Sequence, residues 1–348
     1  MKKICKTLIM LLACVLLTSC TSKTTEEEKS NPQFSISEYV PLTDIEEGRP
    51  NIYLITKVVD SKYWQTLVKG AKDAGNDQNC NVYYAGTNND TYWEGQITLL
   101  DEAVSMGADA IILAPNDSIK LASKIEEIYD SGIPVILVDT VVNSEKFDIC
   151  YMTENFMAGQ QAAEEMIGQL EKAGHTESEE VNVGVLVGAD TSQTINERLS
   201  GFFEYWEANA PEKWEIDKDL MNCNGDVSYG EELVTEYLKD NHQVDGLYST
   251  NNTPTQALSK IIYQQERKDI VVVGFDYSDD IKTLIENPEY KASTILQKQY
   301  DMSYRGVQSA IDILNGKEIE GKFVDTGVIT VNNENLSDSE VAEVLSQN

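Results

Sequence analysis

From position 51 onward the chain alternates short, unbroken apolar runs with amphipathic segments, the pattern of βα units feeding a mostly parallel sheet. The runs are Ile52-Tyr53-Leu54-Ile55, Val82-Tyr83-Tyr84-Ala85, Ala110-Ile111-Ile112-Leu113-Ala114 and Val135-Ile136-Leu137-Val138. None alternates apolar with polar, so each predicts a strand buried on both faces. Helical stretches fall between them, such as the one where Trp64, Leu67, Val68 and Ala71 lie at i, i+3, i+4 and i+7 on one face. Gly70 within that stretch predicts a close approach of helix to sheet. After Cys150 the same grammar begins again with a helix over about 156–173 and the strands Val183-Gly184-Val185-Leu186-Val187, Gly246-Leu247-Tyr248 and Ile270-Val271-Val272-Val273. Helices are predicted in the gaps, roughly over 194–209, 228–241 and 254–265. A further strand, Lys291-Ala292-Ser293-Thr294-Ile295-Leu296, precedes a helix over 300–315 whose apolar side carries Ile311 and Leu314. Two sets of units so alike predict an α/β protein of two similar lobes, and the late strand and helix can return to the first.

The extreme N-terminus follows a different logic. Lys2, Lys3 and Lys6 precede an apolar run over 8–17 that is too short to span a bilayer, the form of an export signal. The end of that run, Leu17-Thr18-Ser19-Cys20, resembles the lipobox of bacterial lipoproteins. That resemblance implies that residues 1–19 are removed and that Cys20 takes a diacylglyceryl group, two acyl chains being enough for stable anchoring. An ordinary signal peptide cleaved near a chance cysteine is the alternative. Residues 20–49 then read as the lipidated cysteine and a flexible tether, with Thr24-Thr25-Glu26-Glu27-Glu28-Lys29-Ser30-Asn31-Pro32 showing no apolar periodicity.

Charge narrows the list of partners. The chain carries 59 acidic against 27 basic residues for a net charge of -32, and loss of residues 1–19, with three lysines and no acid, takes it to -35. Such a surface repels nucleic-acid backbones and anionic lipid, which leaves the lipid as the sole membrane contact and nucleic acid excluded. Of six cysteines, Cys5 and Cys14 leave with the leader and Cys20 is lipidated; Cys80, Cys150 and Cys223 remain, an odd number without metal spacing. His175 and His242 are the only histidines, so no metal centre or Ser-His-Asp triad has material here, and no cofactor is expected. Gly184 and Gly188 lack the spacing and the following Lys-Ser or Lys-Thr of a phosphate loop.

In open parallel sheets ligands bind beyond the carboxyl ends of the strands. The residues found there are Ser61-Lys62-Tyr63-Trp64, Asp139-Thr140, Thr250-Asn251-Asn252, Gly274-Phe275-Asp276 and Gln297. Carboxylates and amides beside two aromatics suit a polyol: paired polar atoms match vicinal hydroxyls and a ring face covers the C–H patch of a sugar. Either Asn251 or Asn252 could face inward, the first being favoured, and the other candidates, with Arg198 and Asn155 added to them, have structural alternatives. Tyr63 and Trp64 also fit the core face of their helix, Asp139 and Asp276 fit caps of the following helices, Arg198 fits a surface ion pair, and Asn155 and Gln297 fit hinge positions.

Residues 51–331 resemble the type I periplasmic sugar-binding proteins of ABC transporters, the ribose- and galactose-binding group. The likeness rests on Tyr63-Trp64 with Lys69-Gly70-Ala71, on Gly107-Ala108-Asp109-Ala110-Ile111-Ile112 leading to Pro115-Asn116-Asp117-Ser118, and on Gly132-Ile133-Pro134-Val135 leading to Asp139. It continues through Glu154-Asn155 with Ala158-Gly159, Asn196-Glu197-Arg198 with Gly201-Phe202, Val272-Val273-Gly274-Phe275-Asp276, and Ser293-Thr294-Ile295-Leu296-Gln297. The resemblance implies two Rossmann-like lobes joined by a three-stranded hinge, residues about 50–153 plus 298–325 in the first and 154–297 plus 326–332 in the second. Residues 333–348 read as a polar tail with some helical character. By the same resemblance Tyr63 and Trp64 stack on a sugar ring while Asp139, Asn155, Arg198, Asn251, Asp276 and Gln297 bind its hydroxyls.

Departures from the group concern Ser61, where Asn is common, Thr140, where Arg is common, and Gly225, near which an aromatic is common; they leave the identity of a pentose ligand open. The implied activity is capture of a monosaccharide by hinge closure, by a monomer, and delivery to an ABC permease. A sensor or signal-molecule-binding lipoprotein that presents its ligand to a membrane histidine kinase is the alternative. Enzymatic action would need Asp139 and Asp276 to work as a glycosidase pair, and the chain reads as a binder rather than a catalyst.

Overall fold

The computed structural model describes residues 34–347 apart from 60, 190–191 and 241–242, so Cys20, the leader and His242 lie outside the described residues. The first series of elements is β1 (Val40–Pro41), β2 (Asn51–Thr56), α1 (Lys62–Gln78), β3 (Asn81–Gly86), α2 (Trp93–Ser105), β4 (Ala110–Leu113), α3 (Ala122–Asp130), β5 (Val135–Val138) and β6 (Ile149–Met152). The second is α4 (Asn155–Ala173), β7 (Val181–Val187), α5 (Gln193–Asn209), β8 (Trp214–Ile216), β9 (Met221–Asn222), α6 (Val227–Asp240), β10 (Gly246–Ser249), α7 (Asn252–Gln264), β11 (Val271–Phe275), α8 (Asp279–Glu286) and β12 (Lys291–Gln297). After these come α9 (Gln299–Leu314), β13 (Phe323–Asp325), β14 (Val328–Asn332) and α10 (Ser339–Gln347).

Two sheets result. One runs β1-β3-β2-β4-β5-β6-β13, parallel except for β1; the other runs β14-β12-β11-β10-β7-β8, with β9 also on β7, parallel except for β14. The chain passes from the first sheet to the second after β6, returns after β12 through α9, which packs on β4, β5, β6 and α1, and crosses again between β13 and β14. Both faces of each sheet are covered. Ile52 and Leu54 pack with Trp64, Leu67 and Met302, whereas Tyr53 and Ile55, one residue out of phase, pack with Leu99, Leu100 and Ile125. In the second sheet Val183 and Val185 meet Ala162 and Phe202 while Leu186 and Leu247 meet Val234 and Leu258. Burial of both faces explains why the strands read as continuous apolar runs. Cys80, Cys150 and Cys223 are buried free thiols, and burial pushes the Cys80 thiol up to about 11.

Three expectations need correction. Residues 34–49 are not tether: Val40 and Pro41 pair with Tyr84 and Tyr83, and the Tyr39 hydroxyl donates to Leu99 O at 2.9 Å, so this segment covers the edge of β3. Residues 333–348 are not a free polar tail, because Val341 and Val344 of α10 are buried in the second lobe's core beside Ile281 and Leu284. Two apolar positions three apart suffice to seat a short helix, however polar its other face. Gly70 serves a helix–helix contact instead of a helix–sheet one: a Cβ there would collide with Tyr300 O and Ser303 Oγ of α9.

The same device joins α4 to α5. A Cβ on Gly159 would strike Arg198 O, and one on Gly201 would strike Phe156 O, so each helix offers a glycine where the other's backbone passes. Replacing Gly159 or Gly201 with Ala is expected to lower unfolding stability by about 1–3 kcal/mol, as overpacking does. Gly168, on the same α4 with open space around its Cβ position, is the control, and Gly168→Ala is expected to be neutral or to stabilise by up to about 1 kcal/mol. Urea melts read both, and equal effects at Gly159 and Gly168 would contradict the close crossing.

Candidate functional site

The carboxyl ends of the two sheets border one cavity of about 590 Å³. Tyr63, Trp64, Asp139, Arg198, Asn251, Asp276 and Gln297 all line it. Asn155 does not; it is buried behind Arg198, whose Nε donates to Asn155 Oδ1 at 2.8 Å, and its own amide donates to Thr153 O. Its expected direct contact with ligand is therefore corrected to that of a support, placed by the glycine crossing of α4 and α5 just described.

Asp139 and Asp276 occupy twin positions. Each follows a central parallel strand, β5 or β11, and each has a left-handed backbone, φ 65° and 68°. A non-glycine residue in that region costs on the order of 1 kcal/mol and persists only when its surroundings hold it. Here the Asp139 N–H donates to Tyr151 O at 2.9 Å and the Asp276 N–H to Ile295 O at 2.8 Å, extending the ladder one residue past each strand. Thr140 N–H donates to Val138 O at 2.7 Å, which closes a γ-turn around Asp139. Neither aspartate caps the helix that follows it in sequence. The caps are elsewhere: Asp276 Oδ2 accepts from the N–H of Asn252 at the start of α7, and Ser278 caps α8.

Their electrostatics differ. Asp139 is held by Lys57 Nζ and Thr140 Oγ1, each 2.7 Å from Oδ2, and by the Tyr63 hydroxyl 2.6 Å from Oδ1. Burial alone would raise its pKa, but the Lys57 charge and these donors outweigh that and hold the carboxyl below its ordinary range. Asp276 receives Gln297 Nε2 at 2.8 Å on Oδ1 and lies near the Arg198 guanidinium, yet burial prevails and its pKa is raised. Arg198 stacks on the Phe275 ring at 3.8 Å and donates from Nη1 to Thr250 O at 3.0 Å, so its plane is fixed. Gln297 is oriented from its other end by the Thr153 hydroxyl, 2.8 Å from Oε1.

Tyr63 and Trp64 belong to the core and also border the cavity. They sit edge-to-face at 4.9 Å in the first lobe's core cluster. Burial, then the neighbouring Asp139 charge, pushes the Tyr63 hydroxyl well above its ordinary pKa, so it stays a donor. Asn251 is pinned where a Cβ at Gly188 would strike its Oδ1, which gives that glycine a steric purpose unrelated to phosphate. Asn252 also lines the cavity and donates through Nδ2 to Tyr277 O at 2.5 Å. Gly225, where this chain lacks the aromatic common in the resembled group, has φ 74° and its N–H donates to Gly188 O at 2.7 Å. At the mouth, Lys62 of the first lobe meets Asp279 of the second at 2.6 Å, an exposed pair that adds little stability but touches both lobes.

Lys57 is the residue that reading the ends of apolar runs misses. It directly follows β2, yet the polar Thr56 and the run of Val58 and Val59 disguise the strand end, and Ser61 looks like the start of the loop.

Comparison with known proteins agrees with this architecture. The periplasmic binding protein domain matches residues 52–318, and the chain belongs to that family, in its type I form. It is 22% identical over 321 residues to the D-ribose/D-allose-binding protein of Pseudomonas aeruginosa, covering 89% of this chain and 92% of that one. With the ribose import binding protein of Bacillus subtilis it shares 22% identity over 312 residues, 90% and 93% of the two chains. Among solved structures, a carbohydrate transporter solute-binding protein from Agrobacterium radiobacter in complex with D-arabinose superposes with a TM-score of 0.78 at 25% identity, over 86% of this chain and 99% of that one. A solute-binding protein from Agrobacterium vitis with bound D-fucose gives 0.75 at 26%, over 84% and 98%.

The split between the aspartates has a measurable sign. The depressed Asp139 contributes stability above its ordinary pKa of 3.8 that is lost as pH falls through its folded value. The raised Asp276 contributes stability below 3.8 that is lost as pH rises through its folded value. At neutral pH Asp139→Asn is therefore expected to lower the melting temperature and Asp276→Asn to leave it unchanged or raise it, with the Asp139→Asn loss fading in acid. Thermal melts from acid to neutral pH check this, and shifts of the same sign would contradict it.

Proposed function

We propose that this chain is an extracytoplasmic solute-binding protein that captures a neutral monosaccharide between its lobes and delivers it to an ABC importer, held at the membrane by the lipid on Cys20. It binds its ligand without turning it over. The observation that carries the reading is the pair of aspartates at twin strand ends facing one cavity, Asp139 paired with Lys57 and Asp276 under the influence of the Arg198 charge, with Tyr63 and Trp64 alongside. Because Lys57 pairs with Asp139 and the Arg198 charge acts on Asp276 without pairing with it, the cavity suits an uncharged guest rich in hydroxyls. Its volume is ample for one sugar. The relatives that bind ribose, allose, arabinose and fucose support the same ligand class.

Groups from both lobes meet a ligand together only when the lobes are near, so binding favours the closed form. Polar contacts of about 0.5–1.5 kcal/mol each, more where a charge takes part, can together outweigh the ordering cost.

Thermal shift against a panel of monosaccharides is expected to find one or a few that stabilise the purified protein saturably, by about 2.7 kcal/mol at a hundredfold excess over Kd. Trp64→Ala is expected to weaken that binding by about tenfold, the stacking increment, and to leave a cooperative melt. A panel without any saturable shift, or sugar consumed during incubation, would contradict the reading.

A further inference from the structure

We propose that α10 is a latch on lobe closure, its last turn holding α1 across the gap between the lobes and slowing the opening that releases ligand. The inference rests on the sugar-binding reading above and adds to it what sets how long the guest stays. Lys62, Thr66 and Lys69 of α1 fall at i, i+4 and i+7 and so share one face of that helix. All of them reach the second lobe. Lys62 Nζ lies 2.6 Å from Asp279 Oδ1 of α8, Thr66 Oγ1 donates to Gln347 O at 3.2 Å, and Lys69 Nζ donates to Ser346 O at 3.2 Å. The helix so held also carries Tyr63 and Trp64, which border the ligand cavity.

The acceptors are of the kind a helix end supplies. The last four carbonyls of an α-helix have no partner within it, and they gather a partial negative charge that favours a cation. Ser346 O and Gln347 O belong to the last turn of α10, where they meet an ammonium and a hydroxyl. Helix α10 cannot follow α1 when the lobes part, because Val341 and Val344 are buried against Ile281 and Leu284 of α8. Its inner end is tied to a crossing between the lobes: Lys298, between β12 and α9, lies 2.8 Å from Glu340. From Glu340 to Gln347 an α-helix runs roughly 10 Å, so rotation about that crossing moves the outer end further than the inner one. The Lys298 pair is thus placed as a pivot, and the contacts to Thr66 and Lys69 are the ones that opening must break. Contacts made in the closed form and lost in the open one favour closure, and a ligand gripped by both lobes then leaves more slowly.

Stopped-flow measurement of kon and koff for the best sugar of the panel, in wild type and in the double variant Thr66→Val with Lys69→Met, tests this. The double variant removes both donors and leaves α10 seated on α8. It is expected to raise koff by about threefold to thirtyfold, the worth of the two hydrogen bonds, and to change kon by less than about twofold. Lys69→Arg, which keeps a cationic donor, is expected to release sugar at close to the wild-type rate. Lys72→Met, which removes an exposed lysine from the same helix, is the charge control and is expected to leave both rates unchanged. A koff that the double variant leaves unchanged, or that Lys72→Met raises as much, would overturn the latch, as would a loss of affinity carried by kon alone. If the double variant does not fold, Lys69→Met is measured against Lys69→Arg, and only the first must speed release. Failure of every sugar to bind wild type would overturn the sugar reading and this proposal together, an outcome distinct from binding whose release ignores Thr66 and Lys69.

Discussion

Taking a carboxylate out of water costs several kcal/mol unless a cation and hydrogen-bond donors replace the solvent, and this cavity holds two, Asp139 and Asp276. Each lobe meets the cost with its own materials. The first sends Lys57 from the end of β2 and Tyr63 from α1; the second sends Arg198 from α5 and Gln297 from the end of β12. Compensation is fuller at Asp139, whose carboxyl is driven below its ordinary range, than at Asp276, whose carboxyl is driven above it. The second lobe therefore carries the strained half of the site, with a buried carboxylate that a donor-rich ligand would relieve.

That arrangement depends on how closely helices can pass. Arg198 reaches the cavity edge because Gly159 and Gly201 let α4 and α5 touch backbone to backbone, which sets Asn155 Oδ1 at 2.8 Å from the Arg198 Nε. The Phe275 ring beneath the guanidinium completes a rigid mount. In the first lobe Gly70 plays the same part between α1 and α9, and α1 carries Tyr63 and Trp64. Helix α10 adds a link between the lobes: seated on the second core, it accepts hydrogen bonds at Ser346 O and Gln347 O from Lys69 and Thr66 of α1, and Glu340 pairs with Lys298.

Much of this was legible in the sequence because parallel strands buried on both faces leave unbroken apolar runs, and because polar residues just beyond such runs have few structural reasons to be there. Asp139, Asn251, Asp276 and Gln297 follow from that rule. What escaped it depends on distance in space. Asn155 has the composition of a ligand residue, but its partner Arg198 is 43 positions away and the helix crossing decides which of the two faces the cavity. Lys57 is hidden by two valines that prolong the apolar signal beyond the true strand end. The edge strand at Val40 and the helix around Val344 contain too few apolar residues to stand out until the surfaces that receive them are known.

The central claim is that groups from both lobes grip one small guest. Its most direct test is a crystal structure of the protein with its tightest-binding sugar. The account predicts a single sugar within hydrogen-bond distance of Arg198 and Asp276 on one side and of Lys57 or Asp139 on the other, with Trp64 against its ring; a sugar held by one lobe alone, or outside this cavity, would contradict it.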